Sequence, residues 1–313
     1  MNRPPLSGRS RGAAIAALVA AALFWAGNYT VGASAVQSVD PISLTFLRWA
    51  MAAPVLLLLA AVIERPDWRA ALRALPRLAG LGVLGMVGFA TPLYEALRHT
   101  TAVSASIISA ICPVLIAVVA AVALRERPTR GMIGGLAVGL VGVLVVVSKG
   151  SIAALTSLDL NIGDLWVLIA VICWTAYTVL GRRVNTVPPI TSVGLQAACV
   201  AVLLVPVVAV LGLQVPTTGP TWGALAFIVL LPSIGSYLLW NIALRRIPAA
   251  NAGITLNLIP VFVVVIAVVL GGAITLADLL GGALVLGGVL LATIRRQAGS
   301  NTPASASHAD ERT

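Results

Sequence analysis

One arginine lies deep inside an apolar run of this 313-residue sequence. Arg48 is seven residues beyond Pro41, where the second long apolar run begins. A charge at mid-membrane costs about 2.5–3.5 kcal/mol on insertion scales, so its side chain must face protein or water. Two roles fit this position. Arg48 either pairs with Glu95, or its guanidinium binds a substrate carboxylate through two parallel hydrogen bonds.

Glu95 is the acidic residue that lies within an apolar run and away from the arginine-rich connecting segments. We expect it near the end of the third run, beside the second. It is therefore a candidate either for an ion pair with Arg48 or for proton coupling, if burial raised its pKa. No chain of central carboxylates or histidines marks a proton path.

Polar and aromatic side chains interrupt the apolar runs. Tyrosine combines an apolar ring with one hydrogen-bonding group, and asparagine is strongly polar, so both suit a wet cavity that binds small amphipathic solutes. The same residues also serve as hydrogen bonds between helices or as interfacial anchors. Our candidates for a substrate-binding cavity, besides Arg48, are Asn28, Tyr94, Tyr177, Tyr237 and Asn257.

Two prolines, Pro113 and Pro260, lie near the centres of the fourth and ninth runs. Proline removes a backbone hydrogen bond and kinks a helix. The matching positions predict paired hinges beside a cavity, although packing kinks without motion are the alternative.

The sequence offers no catalytic constellation. It lacks HExxH and GxSxG motifs, contains two histidines (His99 and His308), and has three isolated cysteines. We therefore expect no enzyme activity, no metal site and no cofactor.

The elements that carry these residues follow from composition. Apolar residues make up 59% of the chain and charged residues 10%, which is far too few charges for a water-soluble surface. Ten runs are long enough to span a bilayer. They predict an all-α membrane protein with spans at 13–35, 41–63, 77–98, 101–124, 131–148, 162–181, 189–212, 221–244, 250–270 and 276–294.

The basic residues predict the orientation of these spans. The net charge is +10, but the 20 Lys and Arg residues lie in short clusters between the runs and not on one nucleic-acid-binding face. With the N-terminus inside, all of them fall in inside segments except Arg48, Arg98 and Lys149. Because cytoplasmic loops carry the excess of basic residues, both termini are expected to be cytoplasmic.

The two halves of the chain repeat each other. Trp25 and Gly32 recur 149 residues later as Trp174 and Gly181, and Pro113 recurs 147 residues later as Pro260. Each half has five spans, so the second enters the membrane inverted, which is an arrangement found in many secondary transporters. Glycines in the fifth and tenth runs predict close helix packing, either within the chain or in a homodimer.

The motifs Trp25-x-x-Asn28-Tyr29, Ala96-Leu97-x-x-Thr100-Thr101-Ala102 and Glu126-Arg127 resemble an EamA repeat of the drug/metabolite transporter superfamily, and the second half resembles another copy. One departure is Ala273, which stands where Glu126 would recur. The resemblance implies a central cavity between the halves and movement of small metabolites, often outward, amino acids among them.

We therefore expect a multi-pass plasma-membrane transporter that exports small metabolites such as amino acids by alternating access; efflux of amphipathic drugs is the alternative. The expected partners are a small-molecule substrate and the lipid bilayer, with no nucleic acid. The predicted divisions are an N-terminal cytoplasmic tail (1–12), a first repeat (13–148), an outside linker (149–161), a second repeat (162–295) and a disordered cytoplasmic tail (296–313).

Overall fold

The computed structural model describes residues 8–126, 128–148, 161–184, 186–271 and 275–294, and all regular structure in these ranges is helical. The helices are α1 (Gly8–Ala35), α2 (Pro41–Glu64), α3 (Trp68–Arg73), α4 (Leu75–Ala96), α5 (Ala102–Ala123), α6 (Arg130–Ser148), α7 (Ile162–Gly181), α8 (Pro189–Leu211), α9 (Gly219–Leu244), α10 (Ala249–Val269) and α11 (Leu276–Ile294). The predicted linker, except Asn161, and the predicted C-terminal tail lie outside the described residues. Of the predicted N-terminal tail, residues 8–12 belong to α1.

Eight of these helices are long and apolar enough to cross a membrane: α1, α2, α4, α5, α7, α8, α9 and α10. Helices α6 and α11 contain shorter apolar stretches, Arg130–Val145 and Leu279–Leu291. The protein is therefore a multi-pass membrane protein. Helix α3 is a short amphipathic connection between α2 and α4.

The helices pack as matching pairs. Helix α1 contacts α9 and α10, and α7 makes the corresponding contacts with α4 and α5; α2 packs against α8, and α6 against α11. The segments that follow α2, α5, α7 and α9 come together at one end of the bundle. We call this the arginine-rich end, because these segments carry Arg65, Arg125, Arg182, Arg183, Arg245 and Arg246.

The ends of α2 and α8 cap each other. The Glu64 carboxylate, at the end of α2, accepts hydrogen bonds from the Ile190 and Thr191 amides at the start of α8, both at 2.8 Å. At the opposite end of the bundle, Gln214, just beyond α8, accepts a hydrogen bond from the Asp40 amide through its Oε1 at 2.9 Å. Backbone donors at both helix starts are satisfied, which fixes the register of the pair.

Helices α6 and α11 approach closely through glycines. A Cβ added to Gly142 would lie 2.6 Å from the Gly281 carbonyl oxygen, and one added to Gly288 would lie 2.5 Å from that of Gly135. Neither helix could approach so closely with a larger residue at Gly142 or Gly288. These glycines therefore pack within one chain, the first of the two predicted roles.

Four of the long helices change their winding at matching places. Helices α4 and α9 contain π-helical segments at Val83–Val87 and Val229–Gly235, while α5 and α10 contain 3₁₀ segments at Ser109–Ile111 and Ile254–Asn257. Each 3₁₀ segment is followed within three residues by Pro113 or Pro260, whose missing N–H interrupts the α-helical ladder. The prolines thus mark changes of helical winding at the centre of the bundle.

Candidate functional site

A buried polar group of four side chains lies where α1, α2, α4 and α9 meet. Arg48 donates from Nε to Ser233 Oγ at 2.9 Å and from Nη1 to the Tyr94 hydroxyl at 2.6 Å. The Tyr94 hydroxyl in turn donates to Asn28 Oδ1 at 2.9 Å. All four side chains are almost completely inaccessible to solvent. We call Asn28, Arg48, Tyr94 and Ser233 the central polar group; three of its members were predicted from sequence.

The predicted ion pair between Arg48 and Glu95 is not formed. Glu95 is partly exposed near the end of α4 and pairs with Arg98 at 3.4 Å and His99 at 3.2 Å, which lie on the following turn. Tyr94 precedes Glu95 and points into the bundle, so the helix directs Glu95 elsewhere. Among the described acidic side chains, none pairs with Arg48. The buried guanidinium is held by neutral groups.

Seven aromatic rings pack together beside the central polar group. Trp25 stands edge-on to Trp174 with ring centroids 4.9 Å apart, and Trp49 stands edge-on to Tyr237 at 4.8 Å. Because Trp49 follows Arg48 and Tyr237 lies one turn from Ser233, the rings adjoin the guanidinium. We define the aromatic cluster as Trp25, Trp49, Phe89, Trp174, Tyr177, Tyr237 and Trp240.

Tyr237 connects the two halves through its hydroxyl, and Tyr177 connects them through its ring. Tyr237 donates to the backbone carbonyl of Gly85 in the π-helical segment of α4. The ring of Tyr177 lies against Gly85, where no side chain would fit, and its hydroxyl accepts a hydrogen bond from Asn241 at 2.8 Å. Both predicted tyrosines therefore border the centre of the bundle, on α7 and α9.

Three indole N–H groups in the aromatic cluster have no hydrogen-bond acceptor in the described part of the chain. They belong to Trp25, Trp49 and Trp240, and all three nitrogens are buried. A buried donor without a partner costs about 1–3 kcal/mol. The centre of the bundle therefore contains more donors than acceptors.

A small cavity adjoins the aromatic cluster. Its lining includes Trp25, Tyr29, Trp174, Ser109 and Cys112, which come from α1, α5 and α7. The space open to the centre of a water-sized molecule is about 20 Å³, which is little more than a single water requires. A substrate larger than water therefore needs the helices to separate.

Asn257 is not brought to the central polar group or the aromatic cluster. Its side chain is fully buried, and its amide nitrogen lies 2.8 Å from the position that a Cβ on Gly139 of α6 would take. Neither amide atom has a hydrogen-bond partner among the described residues. Its neighbours Leu256 and Ile259 line the cavity instead, because the 3₁₀ segment rotates Asn257 towards α6.

The arginine-rich end is closed by a contact that we call the latch. Glu126, after α5, accepts hydrogen bonds from the Ala249 and Ala250 amides at the start of α10, at 3.2 and 3.3 Å. Arg182 lies 3.5 Å from Glu126 and donates to the Leu244 and Ile247 carbonyls at 2.5 and 2.6 Å. The latch therefore joins the ends of α5, α7, α9 and the start of α10.

A profile of the EamA-like transporter family matches residues 12–148 and again residues 161–294. The chain belongs to this family. Together the two matches cover the helices of both halves, so the whole bundle belongs to a family of transporters. The EamA chain is therefore a membrane transporter, with a small-molecule substrate and a lipid environment.

Similar proteins share this length and organisation. An uncharacterized transporter, YyaM of Bacillus subtilis, is 29% identical over 87% of this chain and 89% of its own. A probable terminal-alkyne amino-acid exporter of Streptantibioticus cattleyicolor is 30% identical over 93% of this chain and 97% of its own. A solved crystal structure that is 21% identical superimposes with a TM-score of 0.73 over 93% of this chain and 99% of the other, which shows a shared fold.

The roles of several residues, at the centre of the EamA chain and at the latch, were not predicted from the sequence. Ser233 is a small polar residue in an apolar run, and only its place after Pro232, in a segment that ends with Gly235, hinted at irregular backbone. The cap that Glu126 provides was hidden because its partners are backbone amides more than 120 residues away. Trp49 follows Arg48 directly, which could have marked it as a neighbour of the site.

Proposed function

We propose that this EamA transporter exports small metabolites such as amino acids by alternating access, without catalysing a reaction. The observation that carries the proposal is Arg48, buried and held only by neutral partners at the meeting of helices from both halves. A charged residue inside the membrane that has no counter-ion within the protein marks a functional site. Its role is to bind a substrate carboxylate.

Alternating access is supported by the matching of the two halves. We propose ten spans, with α6 and α11 included, arranged as two inverted five-helix repeats. The pairs of packed helices, the π-helical and 3₁₀ segments, and the reciprocal contacts of Gly142 and Gly288 all recur between the halves. Inverted repeats rock around a site near the membrane midplane.

The structure corresponds, in this proposal, to a state closed around the site. The cavity holds little more than one water, and the latch joins the helix ends at the arginine-rich end. Opening requires parts of α5 and α10 to move relative to the rest. Pro113 and Pro260 follow the 3₁₀ segments of those helices and serve as the hinges.

The amino-acid assignment is supported by the exporter from Streptantibioticus cattleyicolor, whose name describes a terminal-alkyne amino acid as its substrate. The aromatic cluster favours a second candidate, efflux of amphipathic drugs, because aromatic rings bind flat apolar bodies without needing Arg48. The two candidates differ in their dependence on the guanidinium.

We further propose that the protein resides in the plasma membrane with both termini cytoplasmic, which places the arginine-rich end inside. The distribution of basic residues supports this orientation. Reporter fusions at both termini and at residue 215, between α8 and α9, test it. We expect the termini to report the cytoplasm and residue 215 the opposite side; any other combination contradicts the orientation.

The transport proposal is tested with purified protein in liposomes loaded with a labelled amino-acid mixture. We expect saturable release of a subset of amino acids, reduced at least tenfold by Arg48→Ala. The matched control is Arg98→Ala, which removes an exposed arginine near the end of α4. Release that persists in Arg48→Ala contradicts the role of Arg48, and release of an amphipathic dye but no amino acid favours the second candidate.

A further inference from the structure

The hydrogen-bonding capacity at the centre of the bundle is strongly one-sided. A guanidinium has five N–H donors, of which Arg48 uses two, towards Ser233 and Tyr94. The indole N–H groups of Trp25, Trp49 and Trp240 add three buried donors without acceptors in the described part of the chain. The nearby tyrosine hydroxyls accept from none of these indoles: Tyr94 accepts from Arg48 and donates to Asn28, and Tyr237 donates to the Gly85 carbonyl.

The charge is one-sided as well. Arg48 is cationic, and the described acidic side chains form their ion pairs elsewhere, near the ends of the helices, as Glu95 and Glu126 do. Removing a charge from water without a counter-charge is costly. A bound anion would supply that counter-charge and accept hydrogen bonds from the unused donors.

We propose that the central site selects organic monocarboxylates with an apolar, preferably aromatic, body, and that an α-ammonium group contributes nothing to their binding. A carboxylate is a pure acceptor with about four lone-pair directions, which complements Arg48 and the indole N–H groups. The body of the substrate packs between the rings of the aromatic cluster. The site offers a substrate ammonium no carboxylate partner among the described residues.

This inference rests on the proposed transport function and deepens it, because it names the feature of the substrate that the site reads. Amino acids bind through their carboxylates, and the corresponding acids without an amino group bind at least as tightly. Amphipathic drugs that carry a positive charge are rejected because they would place a second positive charge beside Arg48.

Binding to the purified protein tests the proposal without interference from passive diffusion of weak acids across lipid. Three probes share one skeleton: phenylalanine, 3-phenylpropionate and 2-phenylethylamine. Binding is read from tryptophan fluorescence and from the rise in unfolding temperature that a ligand of the folded state produces. We expect 3-phenylpropionate to bind at least as tightly as phenylalanine, and 2-phenylethylamine at least tenfold more weakly than either.

Two variants distinguish hydrogen bonding by the indole N–H groups from packing by the aromatic rings. Trp49→Phe keeps an aromatic ring but removes one indole N–H, and we expect it to weaken 3-phenylpropionate about tenfold, as for a lost hydrogen bond to a charged group. Trp222→Phe is the matched control, because this indole is 46% exposed near the start of α9. It should bind all three probes as the parent protein does. Unfolding temperatures without ligand establish that both variants fold.

Tighter binding of 2-phenylethylamine, or equal binding of all three probes, would overturn the inference. So would a Trp49→Phe variant that binds 3-phenylpropionate as well as Trp222→Phe does. If no probe binds while labelled amino acids still leave liposomes, carboxylate selection fails and the transport function stands. If 3-phenylpropionate binds but nothing is transported, the site assignment stands and the transport function fails.

Discussion

Arg48 and Glu95 show how far residue-level inference reaches. The intramembrane position of Arg48 predicted that its side chain would face protein or water, and it is buried among Asn28, Tyr94 and Ser233. Of the two roles left open for Arg48, the ion pair with Glu95 is not the one that this structure contains, since Glu95 pairs with Arg98 and His99. Sequence gives the depth of a residue in a span, but a change in helical winding decides which neighbour it faces. The π-helical segment of α4, Val83–Val87, is such a change in winding, and it precedes Glu95 in that helix.

The charge-reversed double variant Arg48→Glu with Glu95→Arg tests this separation. Because the two residues do not touch, we expect no recovery of transport in the double variant beyond that of Arg48→Glu alone. Initial rates of amino-acid release from liposomes are the measurement, with Glu95→Arg alone as the control for expression and folding. Restored release would mean that the two charges pair in a state that matters for transport.

At the scale of elements, a helix lies within a few residues of each predicted run, and eight of these helices are long and apolar enough to cross a membrane, since hydrophobic length is what a bilayer selects. The interruptions inside the helices were only partly predictable. The prolines marked the 3₁₀ segments of α5 and α10, whereas the π-helical segment at Val83–Val87 contains no proline and leaves hydropathy unchanged. Asn257 was misplaced for the same reason, because a 3₁₀ turn advances each residue further around the axis than an α-helical turn.

The glycine contact between α6 and α11 leads to a paired prediction. Gly288→Ala should destabilise the fold by about 1–3 kcal/mol through overpacking, because the new Cβ would lie 2.5 Å from the Gly135 carbonyl oxygen. Gly287→Ala, one residue earlier on the same helix, meets nothing within 4 Å and should leave stability unchanged or slightly higher. Unfolding of the purified variants in detergent measures the difference. Equal stabilities would show that the helices can separate at no cost.

The proposed hinges also belong to this scale. Pro113→Ala combined with Pro260→Ala restores two backbone donors and should let α5 and α10 become continuous helices. We expect a folded protein whose transport is slowed several-fold, because opening would then break added hydrogen bonds. Release rates are compared with those of Pro206→Ala, which alters a proline in α8. Unchanged rates would leave Pro113 and Pro260 with a packing role only.

At the scale of the whole molecule, the latch is one of the places where the two halves differ. Glu126 caps α10 and pairs with Arg182, while its counterpart in the sequence, Ala273, lies outside the described residues and has no carboxylate. Glu126→Ala makes the two sequences alike at this position. The missing Glu is visible in the sequence, but the role of Glu126 is not, because the groups it binds are backbone amides.

The reactivity of Cys112, which lines the central cavity, reports opening of the arginine-rich end. In a background with Cys173 and Cys199 replaced by alanine, a membrane-impermeant thiol reagent applied at that end should label Cys112 several-fold faster in Glu126→Ala. The expected size follows from the loss of a helix cap worth about 0.5–2 kcal/mol. Glu95→Ala is the control. An unchanged labelling rate would show that the latch does not stabilise the closed conformation.

A one-sided latch does not by itself give a carrier a direction. Without a coupled gradient, flux must vanish when solute concentrations are equal on both sides, whatever the relative energies of the two conformations. The latch instead makes the two faces kinetically unequal. Each 1.4 kcal/mol of bias towards closure shifts the two conformations tenfold in population, so half-saturating concentrations at the faces diverge, and the maximal rates must diverge in the same ratio. At equal solute concentrations such a carrier has equal fluxes in the two directions. Its maximal rates in the two directions, reached when either face is saturated, differ.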